Sequence, residues 1–203
     1  MLQTLLFFHI LGVVGLFVGF AFEVLTLVRL RRATTLAEVH AATLNVPLIG
    51  PLMGMSTLLV LGMGIAMVYA GNFGWSEAWI DVTLVLVVII AVLAPILIGR
   101  PLETLHRAVS GSKGGAVPQS LDAVRRSGVV NFMCFLGLFE ATVALYVMVD
   151  KPAISEIVAL VLLAAVIAAI PAARAVRAAS AALVAQEEET DAAPSGSSPA
   201  RYT

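Results

Sequence analysis

The first long apolar stretch of the chain, Leu2–Val28, reads LQTLLFFHILGVVGLFVGFAFEVLTLV. A helix of about 20 residues crosses the roughly 30 Å hydrocarbon core of a bilayer, so this stretch is long enough to span a membrane. Because a backbone inside lipid finds no water, such a segment has to be helical. The pattern recurs four times, and the predicted spans are residues 2–28, 47–70, 79–99, 129–149 and 153–171.

The composition also points to a membrane protein. The 203 residues are 60% hydrophobic and 12% charged, with a mean hydropathy of +1.01, whereas soluble domains carry about 25% charged residues. A formal net charge of −1 gives no basic surface for nucleic acid. The single cysteine, Cys134, excludes an intramolecular disulfide and a cysteine-based zinc site. The predicted fold class is therefore an all-α transmembrane bundle of about five helices.

The basic residues are distributed unevenly between the two sides of these spans. Eleven of the lysines and arginines lie on the side where the first span ends, and only Lys151 lies on the other side. Because positively charged loops stay in the cytoplasm, the N-terminus is predicted outside and the C-terminus inside. Residues 1–177 form the predicted bundle. Residues 178–203 form a predicted cytoplasmic tail, which begins as a helix and becomes disordered from the run Gln186–Glu189.

Two ionisable residues lie on one side of the first span. Inserting an ionisable group near the bilayer centre costs about 2.5–3.5 kcal/mol on insertion scales, so each such residue is expected to have a structural or functional role. His9 and Glu23 share their side with Gly12 and Gly19, which favours a position inside the bundle. For His9 three interpretations stay open, namely a bond to a backbone carbonyl or hydroxyl, a haem or metal ligand, and a proton-handling group. Glu23 is expected to reach the interface or to pair with an arginine.

A second glutamate, Glu140, lies near the middle of the fourth span. Gly137 and Ala144 flank it on the same face, which predicts burial against another helix. Two interpretations follow for Glu140, which are a structural hydrogen bond and a role in proton transfer or ligand binding.

Small residues and methionines complete the set of candidate residues. Two GxxxG patterns predict helix-packing faces. Thioether sulfur and imidazole nitrogen ligate copper(I) and haem iron, so methionines on one face at the depth of His9 are candidate cofactor ligands, with plain packing as the alternative. The packing residues are Gly12, Gly15, Gly19, Gly50 and Gly54, and the candidate cofactor ligands are His9, Met63 and Met67.

Several segments resemble a group of small bacterial integral membrane proteins of unknown function. These families are distantly similar to copper-resistance protein D and to membrane protoporphyrinogen oxidases of the haem-binding type. The resemblance covers roughly residues 5–150 and implies a helical bundle in the bacterial inner (plasma) membrane. It is carried by Phe8-His9-Ile-Leu-Gly12, by Arg29-Leu-Arg-Arg32, by the Gly71–Trp79 turn and by Gly99-Arg-Pro-Leu.

The resemblance also implies a cofactor role for one residue. In the haem-binding relatives a first-helix histidine helps to hold the cofactor, and His9 is the position that matches. The chain has no second intramembrane histidine or lysine. A second haem ligand would therefore come from Met63, from Met67 or from a homodimer, and copper is the less favoured cofactor.

Three functions follow from these features. The first, which the sequence favours, is a non-enzymatic membrane subunit or interaction protein in the lipid bilayer, as a homo-oligomer or with another membrane protein. The second is a haem- or copper-binding redox or transport protein with its site around His9. The third is proton or ion translocation using Glu140. No HExxH, GxSxG or CxxC motif is present in the sequence, so enzymatic activity is not favoured.

Overall fold

The computed structural model describes residues 1–71, 77–111, 115, 117–118, 121, 125 and 127–192. The regular elements in these residues are helices, and a π-helical turn at Pro95–Gly99 joins the fourth to the fifth. The helices are α1 (Leu2–Arg32), α2 (Leu36–Thr43), α3 (Val46–Ala70), α4 (Ala78–Ala94), α5 (Arg100–Val109), α6 (Gly128–Asp150) and α7 (Ile154–Ala192).

Five helical stretches in the described residues are long and apolar enough to cross a membrane. They confirm the predicted all-α class and its five spans, and they make the chain an integral membrane protein. Which terminus faces outward stays a prediction. The five stretches are Leu2–Arg32, Leu36–Ala70, Ala78–Val109, Gly128–Asp150 and Ile154–Ala178.

Several helices continue beyond the apolar spans predicted for them. Pro95 has no amide hydrogen to donate, and the helix continues there as a π-helical turn. The third span therefore extends to Val109. The last helix runs through Pro171 to Ala192. The predicted disorder from Gln186–Glu189 is therefore wrong for that run, because alanine, glutamate and glutamine are strong helix formers. The rest of the predicted tail, 193–203, lies outside the described residues.

Helix α6 is the centre of the bundle. It packs against α7, α4 and α1, whereas α1 has its largest contact with α3. Residues on different sides of α6 are buried, among them Asn131, Cys134 and Glu140. Asn131 links the end of α1 to the start of α6, because its Oδ1 accepts a hydrogen bond from Arg31 and its Nδ2 donates to the carbonyl of Ser127, the N-cap of α6, at 2.7 Å. By contrast, α3 and α4 touch only slightly, and the space beside them belongs to a cavity.

The bundle has a basic end, at which α1 stops and α6 begins, and a Trp79 end opposite. Helices α2 and α5 close the basic end, where Val39 and Val109 are fully buried. A capping box begins α2, in which the Glu38 amide donates to Thr35 Oγ1 at 3.3 Å. The Thr34 amide donates to the Glu38 carboxylate at 2.6 Å, and the Thr34 hydroxyl and the Thr35 amide donate to the same carboxylate.

Candidate functional site

The contact between α1 and α6 depends on one glycine. A Cβ added at Gly137 of α6 would lie 2.5 Å from Cε1 of Phe20, which is 2% exposed. One helical turn after each of these residues comes a glutamate, Glu23 in α1 and Glu140 in α6. As the first and fourth of five successive spans, α1 and α6 run antiparallel. Each glutamate lies three residues beyond the contact, at a rise of about 1.5 Å per residue, and the two helices run in opposite directions. The two glutamate Cα atoms are therefore about 9 Å apart along the bundle axis, on either side of the Phe20 ring.

Both glutamates are buried without full hydrogen bonding. Glu23 is 3% exposed and Glu140 is 4% exposed. The Oε2 atom of each has no hydrogen-bond partner within the described residues, and no described arginine forms an ion pair with either. A buried polar atom left without a partner costs about 1–3 kcal/mol, and more when it is charged. These carboxyl groups therefore provide vacant acceptor atoms inside the bundle.

Both glutamates line one cavity of about 770 Å³, which we call the acidic cavity. Its walls come from α1, α3, α4, α5 and α6. Among the described residues the other polar lining groups are Thr57 in α3 and, at the basic end, Arg100 and Glu103. The rest of the described lining is apolar. Small-molecule sites occupy roughly 300–1,000 Å³, so this space is large enough for an organic ligand.

The rim of the acidic cavity differs electrostatically from its interior. Glu103 is exposed and forms an ion pair with Arg107 one turn along α5. Arg100, which is also exposed, lies at the same end. The rim charges are therefore hydrated and partly compensated, whereas the two interior carboxyl groups have no counter-charge among the described residues.

The glycines of α1 lie at its contact with α3. A Cβ at Gly12 would be 2.9 Å from the Ser56 carbonyl oxygen, and one at Gly15 would be 2.1 Å from Ser56 Oγ. A Cβ at Gly19 would be 2.5 Å from Cγ of Met53. The backbones of α1 and α3 therefore come close along two helical turns. This close approach fixes the side of α1 that carries Glu23.

Gly50 and Gly54 of α3 have a different environment. Both line the acidic cavity, and no described atom lies within 4 Å of the position that a Cβ would occupy at either one. Within the described part of the chain these two glycines thus face open space, and a contact with a second chain stays a prediction for them.

His9 lines a second, smaller cavity of about 290 Å³ at the Trp79 end, which we call the His9 cavity. Nδ1 of His9 lies 2.9 Å from the Val60 carbonyl oxygen. Because a carbonyl only accepts, Nδ1 carries the hydrogen and donates it. In the neutral ring Nε2 then keeps its lone pair. Of the three interpretations of His9, the carbonyl bond is present, and it leaves Nε2 available as a ligand.

The structure brings Met67, but not Met63, to the described lining of the His9 cavity. It also adds Thr83 of α4, which sequence reasoning missed. Thr83 is 4% exposed, and its Oγ1 has no partner within the described residues. A hydroxyl at the start of a long aliphatic run was the signal available for it. At the mouth, the Lys151 ammonium lies 5.3 Å from the centre of the Trp79 ring.

The two cavities adjoin along the bundle axis. Val60, Val87 and Met148 line both of them. These three apolar side chains therefore separate the His9 cavity at the Trp79 end from the acidic cavity, which extends to the basic end. Within the described residues no group of three or more His, Cys, Asp or Glu side chains is arranged to hold a metal ion.

No protein-family model, curated protein or solved structure matches the chain. The resemblance to copper-resistance protein D and to membrane protoporphyrinogen oxidases therefore stays a prediction.

Proposed function

We propose that this integral membrane protein translocates positive charge, as protons alone or as protons exchanged for another cation, with Glu140 and Glu23 as the groups that bind it. One observation carries the proposal. Two carboxyl groups, each more than nine-tenths buried and each with one oxygen that has no hydrogen-bond partner among the described residues, line a single cavity inside the bundle. A carboxylate in such surroundings needs a proton or a counter-ion, so the acidic cavity attracts positive charge.

The adjoining cavities support a route through the bundle. Among the described residues only Val60, Val87 and Met148 line both spaces, and methionine is flexible enough to change rotamer in a packed site. A displacement of Met148 would join the two cavities. With the predicted orientation, the acidic cavity opens toward the cytoplasm and the His9 cavity toward the outside. The bacterial inner membrane is the location that fits this orientation.

The test is a flux measurement in lipid vesicles that contain the purified protein and a pH-sensitive dye. In separate runs the vesicles receive a membrane potential or a gradient of Na⁺, K⁺ or tetraphenylphosphonium. The proposal expects proton movement faster than in protein-free vesicles in at least one run, and its loss in Glu140→Gln. Glu156→Gln is the matched control, because that carboxylate is exposed and absent from the described lining of both cavities. Movement at the protein-free rate in every run, or full movement in Glu140→Gln, would contradict the proposal.

A second candidate function rests on the Nδ1 bond of His9. Metal-binding histidines commonly donate their other ring N–H to a carbonyl or carboxylate, and the Val60 carbonyl accepts such a bond here. Nε2 of His9 and the sulfur of Met67 are suitable donors for copper(I). A volume of about 290 Å³ lies at the lower limit for small-molecule sites, which favours an ion over a haem. With two donors this site ranks below the acidic cavity.

The subunit hypothesis favoured by the sequence depends on small residues available to a second chain. The described structure uses them differently. Gly12, Gly15 and Gly19 contact α3 of the same chain, while Gly50 and Gly54 line the acidic cavity. The glycines therefore support a bundle with an internal binding space better than they support an assembly surface.

A further inference from the structure

The size of the acidic cavity and the spacing of its ligands argue against an inorganic cation as its main occupant. Calcium and magnesium ions require about six or more oxygen ligands close together. The described lining offers two interior carboxyl groups, about 9 Å apart along the axis by helix geometry, and the hydroxyl of Thr57. A bare ion beside one carboxyl group would leave most of the 770 Å³ unfilled. A larger occupant is needed to use both glutamates.

The wall chemistry narrows the class of occupant. Apart from the polar groups already named, the described lining is aliphatic, aromatic, methionine, glycine or proline. Burying apolar surface contributes about 25 cal/mol for each Å², so an occupant with a large apolar surface gains affinity here. The interior carboxyl groups require that this occupant also carry positive charge. The rim adds the exposed groups Arg100 and Glu103, of which Glu103 is paired with Arg107.

An aromatic ring lies at the point where the charge would be bound. Phe20 is positioned between Glu23 and Glu140 by its contact with Gly137, and Phe17 also lines the cavity. The face of an aromatic ring attracts cations, and large organic cations, which are weakly hydrated, gain most from it. Two carboxyl groups on either side of a phenylalanine ring are therefore suited to a diffuse positive charge.

From these observations we infer that the acidic cavity binds a lipophilic organic cation, such as a tetraalkylammonium or an arylphosphonium ion. The inference rests on the proposed function and specifies its substrate class. The cation occupies the apolar space beside Gly50 and Gly54, with its charge near Phe20 and between the two glutamates. If it enters when Glu140 is protonated, the proton leaves as the ion pair forms, so binding releases protons.

The experiment measures equilibrium binding to the full-length protein in lipid nanodiscs. The probes are tetraphenylphosphonium and tetraphenylborate, which share shape and apolar surface but carry opposite charge, and protein-free nanodiscs correct for partition into lipid. The inference expects tetraphenylphosphonium to bind at least tenfold more tightly than tetraphenylborate, with proton release into a weakly buffered medium. Glu140→Gln should weaken the binding of the cation at least tenfold.

Two glycine variants test where the cation binds. Gly54→Leu puts a side chain into the acidic cavity, where no described atom lies within 4 Å of the Cβ position, so the fold can accept it. Gly62→Leu on the same helix has equally open surroundings, and Gly62 is absent from the described lining of both cavities. We expect weaker tetraphenylphosphonium binding in Gly54→Leu and unchanged binding in Gly62→Leu.

The outcomes separate this inference from the proposed function. Proton movement in vesicles without selective tetraphenylphosphonium binding would overturn the inference and leave the proposed function standing. Equal binding in the two glycine variants would also overturn it, because the cation would then bind outside the acidic cavity. If both proton movement and cation binding were absent, both proposals would fail.

Discussion

Replacing Gly137 by alanine tests the contact that positions the two glutamates. The new Cβ would lie 2.5, 3.1 and 3.3 Å from Cε1, Cζ and Cδ1 of Phe20, whose ring is buried and rigid. Overpacking of this kind costs typically about 1–3 kcal/mol. Alanine returns roughly 0.5–1 kcal/mol through its better helix propensity. We therefore expect Gly137→Ala to lower the free energy of unfolding by about 1.3 kcal/mol, the difference between the midpoints of these two ranges.

The assay is unfolding in mixed micelles of a mild detergent and SDS, followed by circular dichroism. Gly54→Ala is the matched control, because no described atom lies within 4 Å of its Cβ position. It should unfold at the same SDS fraction as the wild type or at a slightly higher one. Phe20→Leu should restore part of the loss in the Gly137→Ala background, since residues in contact have coupled effects of about 0.5–3 kcal/mol.

The reasoning would be refuted by either of two results. Wild-type stability of Gly137→Ala would mean that α1 and α6 do not approach at this glycine. Strictly additive effects of the Gly137 and Phe20 substitutions would mean that the two residues do not touch. In either case the helix contact that places Glu23 and Glu140 on either side of Phe20 would lose its basis.

Three further predictions concern other parts of the bundle. Wild-type protein from copper-supplied cells should contain copper and show no absorption band of a haem. The His9→Ala protein should lose that copper. Equal copper content in the two proteins would reject the His9 site. Hydrogen bonds from Thr34 and Thr35 to the Glu38 carboxylate cap the first turn of α2. Glu38→Ala should therefore accelerate hydrogen exchange of the α2 amides relative to the wild type, and unchanged exchange would reject the cap. Asn131→Ala removes the acceptor of the Arg31 bond between helices and should destabilise the protein by about 0.6–1.7 kcal/mol in the SDS assay, so wild-type stability would count against that bond.

Hydropathy was sufficient to predict the five spans, because lipid leaves an apolar segment no alternative to helix. It was less informative where helices leave the apolar region. The π-helical turn after Ala94 lets the third span run on into a polar helix, and good helix formers extend α7 to Ala192. Neither extension depends on hydrophobicity, so a search for apolar stretches ends these two spans too early.

The candidate site was only partly predictable for a different reason. Glu140 and the neighbouring Gly137 are visible in sequence as a buried charge beside a small residue, which predicts a contact with another helix. That the contacting residue is Phe20, and that Glu23 lies one turn beyond it, depends on how distant segments pack. No local pattern in a single sequence contains that information. Thr83 illustrates the same limit, since a threonine in a span is also satisfied by its own helix backbone in many proteins.

The central claim is that Glu23 and Glu140 exchange protons or cations within the bundle, and infrared difference spectroscopy tests it most directly. The protein in lipid is titrated between acidic and alkaline buffer, and the carbonyl stretch of protonated carboxylic acids is followed. The account predicts two carbonyl bands from buried carboxyl groups, one lost in Glu23→Gln and the other in Glu140→Gln, and both altered by tetraphenylphosphonium. A spectrum in which neither substitution removes a band would contradict the account.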